Sequence, residues 1–106
     1  MKTSYYAKQD KNNFKNCIGI SIGMKWYKEK LSQAKELCPE WKMVKKGYSY
    51  EEYVSLLEKR GLTPKSIYQK YKDKILLCWE KDPTKCHRRF LARWLKEELN
   101  IDVREY

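Results

Sequence analysis

The segment from Cys78 to Arg88 contains the side chains of this chain that are best suited to chemistry. A thiol lies near the end of an apolar run at Cys78, and a second thiol, an imidazole and a guanidinium occupy Cys86, His87 and Arg88. A thiolate is a nucleophile, an imidazole exchanges protons near neutral pH, and a guanidinium binds phosphate or carboxylate oxygens through a planar fork. These residue types predict a pocket that binds an anion and has groups for nucleophilic or acid–base chemistry.

A strand and a helix are needed to bring these groups together. Lys74 to Trp79 is the most apolar run of the chain and is predicted to be a central strand. Asp82 and Pro83 then supply a cap and a first-turn proline for a helix that ends near Asn100. Its apolar stripe is formed by Phe90, Leu91, Trp94, Leu95 and Leu99. Ligands bind beyond the carboxyl ends of parallel strands, so the groups are expected to converge at the start of this helix.

Three further β-prone segments complete the predicted sheet: Thr3 to Ala7, Cys17 to Ile22 and Ile101 to Glu105. A strand that is joined to the next one through a helix runs parallel to it. The chain is therefore predicted to be one α/β domain over residues 1–106, a small open, mainly parallel sheet of about four strands with helices packed on it.

The middle of the chain carries helix signals. Ser49 and Glu52 have the spacing of a capping box, and Gly61 stands where a helix end favours left-handed backbone. Thr63 and Pro64 repeat the start signal for a second, shorter helix. Between Met24 and Pro39, a helical stripe is predicted from residues spaced three to four apart: Trp26, Tyr27, Leu31, Ala34 and Leu37.

Composition limits the class of protein. The formal charge of +10 would draw the chain toward phosphates or nucleic acid, although a solvated lysine-rich surface gives the same balance. No apolar run is long enough to span a membrane, and the N-terminus lacks a secretory signal. A cytoplasmic location without a membrane partner is therefore expected. The four cysteines, Cys17, Cys38, Cys78 and Cys86, are accordingly interpreted as reduced, without a disulfide framework.

The candidate site has a catalytic set and a ligand-binding set. The catalytic candidates are Cys86, His87 and Glu80 as nucleophile, acid–base group and general base. The ligand-binding candidates come from the strands, the helix start and the KWYKEK segment: Arg88, Arg89, Cys78, Trp79, Ser21, Tyr5 and Trp26.

Each candidate also has a plain structural interpretation. Cys86 and His87 precede Phe90 at spacings that suit packing against the sheet, and Glu80 suits a solvated loop. Arg89 lies at helical spacing with other cations on what is expected to be an exposed face. Trp26 suits either base stacking or burial in an amphipathic segment.

Several familiar chemistries are set aside. Cys86 is not followed by the five-residue spacing to arginine of tyrosine phosphatases, since Ala92 occupies that position. Seven residues separate Cys78 from Cys86 in a chain without a C-x-x-C pair, so no metal site is predicted. No P-loop or G-x-G-x-x-G is present, and no cofactor is predicted.

The segment ILLCWEKDPTKCHRRFLARWL resembles the bacterial and phage family named domain of unknown function 488. The residues that carry the likeness are Cys78, Glu80, Asp82, Pro83, Cys86, His87, Arg88, Trp94 and Leu95. TSYY, CIGISIGMKWYK and ELCP resemble one branch of the same family, so the likeness extends over most of the chain. The resemblance implies an α/β domain with a pocket around the Cys-His-Arg turn, and it implies no established reaction.

Two functions are therefore weighed. The first is a protein directed at a nucleotide or nucleic acid, as an enzyme or a binder, with the anion held beside Arg88. The second is a non-catalytic binding module, for example a phage-encoded protein that occupies a host factor or sequesters a nucleotide. The sequence predicts neither the substrate nor the oligomeric state.

Overall fold

The described part of the molecule contains one four-stranded parallel sheet. The computed structural model describes residues 1–9, 14–24, 27, 31–79 and 86–105. In chain order its strands are β1 (Lys2–Tyr5), β2 (Cys17–Gly19), β3 (Ile75–Cys78) and β4 (Arg104–Glu105). Their order across the sheet is β2-β3-β1-β4, and every neighbouring pair is parallel. The prediction of an open parallel α/β sheet is confirmed.

Four α-helices pack around this sheet: α1 (Trp41–Lys46), α2 (Tyr50–Lys59), α3 (Pro64–Tyr71) and α4 (His87–Leu99). The predicted capping box holds α2, because Ser49 and Glu52 each accept a hydrogen bond from the other's backbone N–H. Gly61 and Asn100 have left-handed backbone after α2 and α4, as expected at helix ends. No helix in the described ranges combines the length and apolar character that a membrane crossing requires.

The strand β3 is buried on both faces, which explains its apolar sequence. Leu76 and Cys78 lie in the core cluster that includes apolar residues of α2, α3 and α4. Leu77 packs on the opposite face with Tyr6 and Tyr27. Successive strand residues point to opposite faces, so this alternation places Cys78 on the side of the sheet that α4 covers.

The predicted helical stripe between Met24 and Pro39 is wrong for the residues that the structure describes there. Lys35–Leu37 is a 3₁₀ turn, and no α-helix includes residues 31–38. Gly19 donates a backbone hydrogen bond to Ser32 and accepts one from Ala34, so this segment lines the edge of β2. Its apolar side chains are buried without a helix, because a chain lying over a sheet buries them as effectively as a helical face does.

Candidate functional site

The carboxyl end of β3 faces the start of α4, as the sequence predicts. Cys78 is the last residue of β3, and Cys86 is the N-cap of α4. His87, Arg88 and Arg89 form the first turn of that helix, and the Cys86 side chain makes no capping hydrogen bond. Asp82 and Pro83 were the predicted cap and first-turn proline, and both lie outside the described residues.

Cys78 and Cys86 are joined by a disulfide bond, which corrects the interpretation of all four cysteines as reduced. The expected compartment favours reduced thiols, but the fold places the end of β3 directly against the N-cap of α4. Both cysteines are buried. Cys17 and Cys38 remain free thiols, and burial raises the pKa of Cys38 to about 11.

His87 is buried and held in one orientation. Its Nε2 lies 2.5 Å from the carbonyl oxygen of Ile20. A carbonyl oxygen only accepts, so Nε2 carries a hydrogen and the neutral ring has its lone pair at Nδ1. That Nδ1 lies 3.8 Å from the Cys86 Sγ. Burial lowers the pKa of His87 to about 4, which outweighs the Ile20 hydrogen bond, so the ring is neutral at pH 7.

Arg88 is fully buried, and its guanidinium joins the sulfur pair to the edge of the sheet. Nε and Nη2 donate to the carboxylate of Glu105, with Nη2 at 2.8 Å from Oε2. Nη1 donates to the Cys78 Sγ at 3.1 Å, and the Tyr5 ring lies 5.9 Å from the guanidinium carbon. Burial raises the pKa of Glu105, but hydrogen bonds from Arg88 and Thr3 outweigh it and hold the pKa below its usual value.

Sequence reasoning missed Glu105. It is a terminal residue of a two-residue strand, seventeen positions from Arg88, and no local pattern connects the two. Arg89 was expected on an exposed face, yet it donates to the Val103 carbonyl oxygen at 2.8 Å and to the Thr3 hydroxyl at 3.0 Å. Arg88 therefore holds β4 through Glu105, and Arg89 holds β1 and the residue that precedes β4.

A pocket of about 440 Å³ opens beside the disulfide. The described residues that line it come from the segment after β2, from α1 and the turn that follows it, from the end of β3 and from the start of α4: Ser21, Ile22, Gly23, Pro39, Trp41, Val44, Gly47, Tyr48, Cys78, Trp79, Cys86, His87 and Phe90. Of the predicted candidates, Cys78, Trp79, Cys86, His87 and Ser21 meet here. Arg88, Arg89 and Tyr5 are not among the described lining residues.

Aromatic rings and small polar groups give the pocket its character. Trp79 is 39% exposed, and its indole is held by the rings of Tyr6 and Tyr27 and by a hydrogen bond to the Gly23 carbonyl. Ser21 donates to the same carbonyl at 2.8 Å, and its Oγ lies 2.6 Å from the Tyr6 hydroxyl. No lysine, arginine or carboxylate is among the described lining residues. Glu80 and Trp26 lie outside the described part of the chain, so their candidate roles stay predictions.

The fold also brings together three groups that can ligate a metal. The ligand atoms of Cys78, Cys86 and His87 all lie within 4.8 Å of one another. The prediction of no metal site rested on the sequence distance between the cysteines, and that distance does not describe their separation in space. In the disulfide form the two sulfurs are not thiolates, and thiolate is the form in which cysteine binds a metal.

A second depression of about 500 Å³ lies between α1 and α2. Its described lining residues carry both signs of charge: Glu40, Lys42, Met43, Lys46, Gly47, Glu51, Glu52, Ser55, Leu56 and Lys59. It contains none of the candidate residues and no strand end, so we place the candidate site at β3.

Comparison with known proteins gives one match. A family model described as "Domain of unknown function DUF488" matches residues 3–95. No curated protein and no solved structure matches the chain. The matched range runs from β1 through most of α4, so it contains both cysteines of the disulfide, His87 and Arg88.

Proposed function

Since this chain belongs to the family described as domain of unknown function DUF488, we propose that its function lies in the pocket at the end of β3, and that this pocket binds a nucleotide or one nucleotide of a nucleic acid strand. The supporting observation is an aromatic pocket that opens at the N-terminus of a 13-residue helix. Its volume of about 440 Å³ is within the range of small-molecule sites.

The walls suit a planar ring. Trp41 is 60% exposed and lies on α1, while Trp79, Tyr48 and Phe90 supply further aromatic surface around the same space. Aromatic side chains bind nucleobases by stacking, with little dependence on the base. A base against Trp41 is the arrangement that we propose.

The first turn of α4 suits the anionic part of such a ligand. The first N–H groups of an α-helix have no partner within the helix, and the helix dipole favours negative charge there. The pocket reaches this turn at Cys86 and His87. The net charge of +10 favours approach of an anion, while the described walls provide no cationic side chain of their own.

Binding without catalysis is the second candidate function. His87 has one ring nitrogen committed to the Ile20 carbonyl, and Cys86 is in a disulfide, so neither is an available acid or nucleophile in this state. These contacts favour a binding module. A nucleotide that binds but is returned unchanged by the wild-type protein would assign this function, whereas turnover that depends on Cys86 or His87 would assign an enzyme.

Trp41→Ala is expected to weaken nucleotide binding about tenfold, because stacking on one aromatic ring contributes about 1–3 kcal/mol per base. Titration calorimetry with nucleoside monophosphates and short single-stranded oligonucleotides measures the effect. Trp41→Phe is the matched control and should retain most of the affinity. The side chain is largely exposed, so the melting temperature without ligand should stay unchanged in both variants.

Val44 lies in the same wall of the pocket and is 46% exposed, so a charge introduced there tests whether the pocket binds an anion. Val44→Lys should tighten and Val44→Glu should weaken binding of a nucleoside monophosphate, each about threefold for a half-exposed charge near the ligand. The uncharged nucleoside should respond to neither. Equal affinities in all three proteins, or no nucleotide that binds the wild type, would contradict the proposed anion site.

A further inference from the structure

The disulfide lies in the wall of the pocket, and it suggests a function that does not depend on nucleotide binding. We propose that Cys78 and Cys86 form a redox-active pair, which exchanges its disulfide with low-molecular-weight thiols that enter through the pocket. The pair is at the end of a strand and the N-cap of a helix, and both residues line the pocket. A helix N-terminus stabilises a thiolate at Cys86.

The contact between Arg88 and Cys78 distinguishes this cysteine pair from a purely structural disulfide. Arg88 is fully buried, and Nη1 donates to the Cys78 Sγ at 3.1 Å while Nε and Nη2 donate to Glu105. A neutral disulfide sulfur is a weak acceptor, so a buried guanidinium gains little from it. The same donor stabilises a thiolate strongly, because both partners are then charged.

His87 provides a hydrogen-bond acceptor for the second cysteine. Its Nδ1 lone pair faces the Cys86 Sγ at 3.8 Å, and the Ile20 carbonyl fixes the ring in that orientation. The lowered pKa of His87 keeps the ring neutral at pH 7, so Nδ1 accepts a hydrogen bond from the Cys86 thiol in the reduced form. Each sulfur thus has its own neighbouring group.

The exchange balances in two steps. A thiolate RS⁻ attacks the Cys86 Sγ, the bond between the cysteines breaks, and Cys78 leaves as a thiolate beside Arg88. A second RS⁻ attacks the RS sulfur of the mixed disulfide, releases RSSR and leaves Cys86 as a thiolate. Two protons from the two RSH molecules complete the two protein thiols. The thiol is oxidised by two electrons and the protein disulfide is reduced by two; the reverse sequence oxidises the protein.

Equilibration of the full chain in glutathione buffers, followed by acid quenching, alkylation and mass spectrometry, tests the proposal. We expect Cys78 and Cys86 to change from oxidised to reduced together, with one midpoint. Cys17 and Cys38 should be alkylated throughout. In the reduced protein at pH 7, Cys86 should react with iodoacetamide about tenfold faster than Cys17, whose pKa is raised by burial.

Two variants sharpen the result. Cys78→Ser removes the resolving thiol and should accumulate a mixed disulfide with glutathione on Cys86, whereas the double variant Cys17→Ser/Cys38→Ser should exchange as the wild type does. Circular dichroism checks that each variant is folded. If a variant does not fold, the glutathione titration of the wild-type protein tests the proposal by itself.

Three outcomes would overturn the proposal. The pair is not redox-active if all four cysteines are alkylated in oxidised glutathione. The bond is purely structural if excess reduced glutathione opens it only after denaturant has unfolded the protein. The site is a metal centre instead if the reduced protein binds one equivalent of Zn²⁺ through these cysteines and then resists oxidation by glutathione.

Discussion

Replacing Arg88 with alanine is expected to lower the free energy of unfolding by about 2–5 kcal/mol, because it removes a fully buried side chain and leaves a cavity, and because the partly exposed Glu105 carboxylate loses its cationic partner. The side chain is completely enclosed and donates to both Glu105 and Cys78. Its removal takes the Arg88 hydrogen bonds from the Glu105 carboxylate, which also accepts one from the Thr3 hydroxyl, and empties the space between α4 and the sheet. Urea unfolding followed by circular dichroism measures the loss.

Arg93→Ala is the matched control for this substitution. Arg93 lies on the same helix, is half exposed, and pairs with Glu97 one turn away. Exposed pairs of this kind contribute little to stability, so Arg93→Ala should lower the free energy of unfolding far less than Arg88→Ala does. Similar losses of unfolding free energy in the two variants would show that the buried Arg88 stabilises the fold no more than an exposed arginine does.

Acidification from pH 7 is expected to destabilise the fold by about 2 kcal/mol at pH 5 and about 3 kcal/mol at pH 4, through His87 alone. The pKa of this residue is about 4 in the folded protein, because burial disfavours the charged ring, against a usual value of 6.5. Between these values the unfolded chain binds a proton that the folded protein does not. Stability therefore falls as the pH falls through this window, and the contribution is constant above it.

The pH dependence in this window can be assigned to one residue, because His87 is the single histidine of the chain. Two groups that face the ring do not titrate there, because Cys86 is in the disulfide and burial holds the pKa of Tyr53 well above its usual value. Urea unfolding at half-unit steps from pH 7 to 5 measures the slope. His87→Gln should remove it, and an equal slope in this variant would assign the pH dependence to other groups.

Glu105 acts in a lower range and does not obscure this slope. Its pKa lies below the usual value because the hydrogen bonds from Arg88 and Thr3 exceed the effect of burial. The stability that it contributes is therefore complete above the unfolded pKa of about 4.3 and is lost only as the pH falls further.

The sequence could predict those parts of the fold whose signals are local. The capping box at Ser49, the start signal at Thr63 and Pro64, and the apolar run of β3 each depend on a few neighbouring residues, and all three are confirmed. The helix predicted between Met24 and Pro39 failed because its apolar spacing satisfies packing against the sheet edge equally well. Spacing alone does not separate these two ways of burying side chains.

The candidate site was predictable as a place and less so as a set of contacts. The convergence of Cys78, Cys86 and His87 follows from a strand that leads into a helix. The pairing of Arg88 with Glu105 and the bond between the two cysteines depend on where β4 and the N-cap of α4 come to rest, and these are properties of the whole topology. No local sequence pattern predicts these two contacts.

The single guanidinium of Arg88 links the pocket to the opposite edge of the sheet. Its contacts reach β3 through Cys78 and β4 through Glu105. A negative charge on the Cys78 sulfur shares this cation with the Glu105 carboxylate. The redox state of Cys78 and the strength of the ion pair that holds β4 are therefore thermodynamically coupled. A change of charge at the end of β3 is thereby felt two strands away, at β4, where the edge strand joins the sheet.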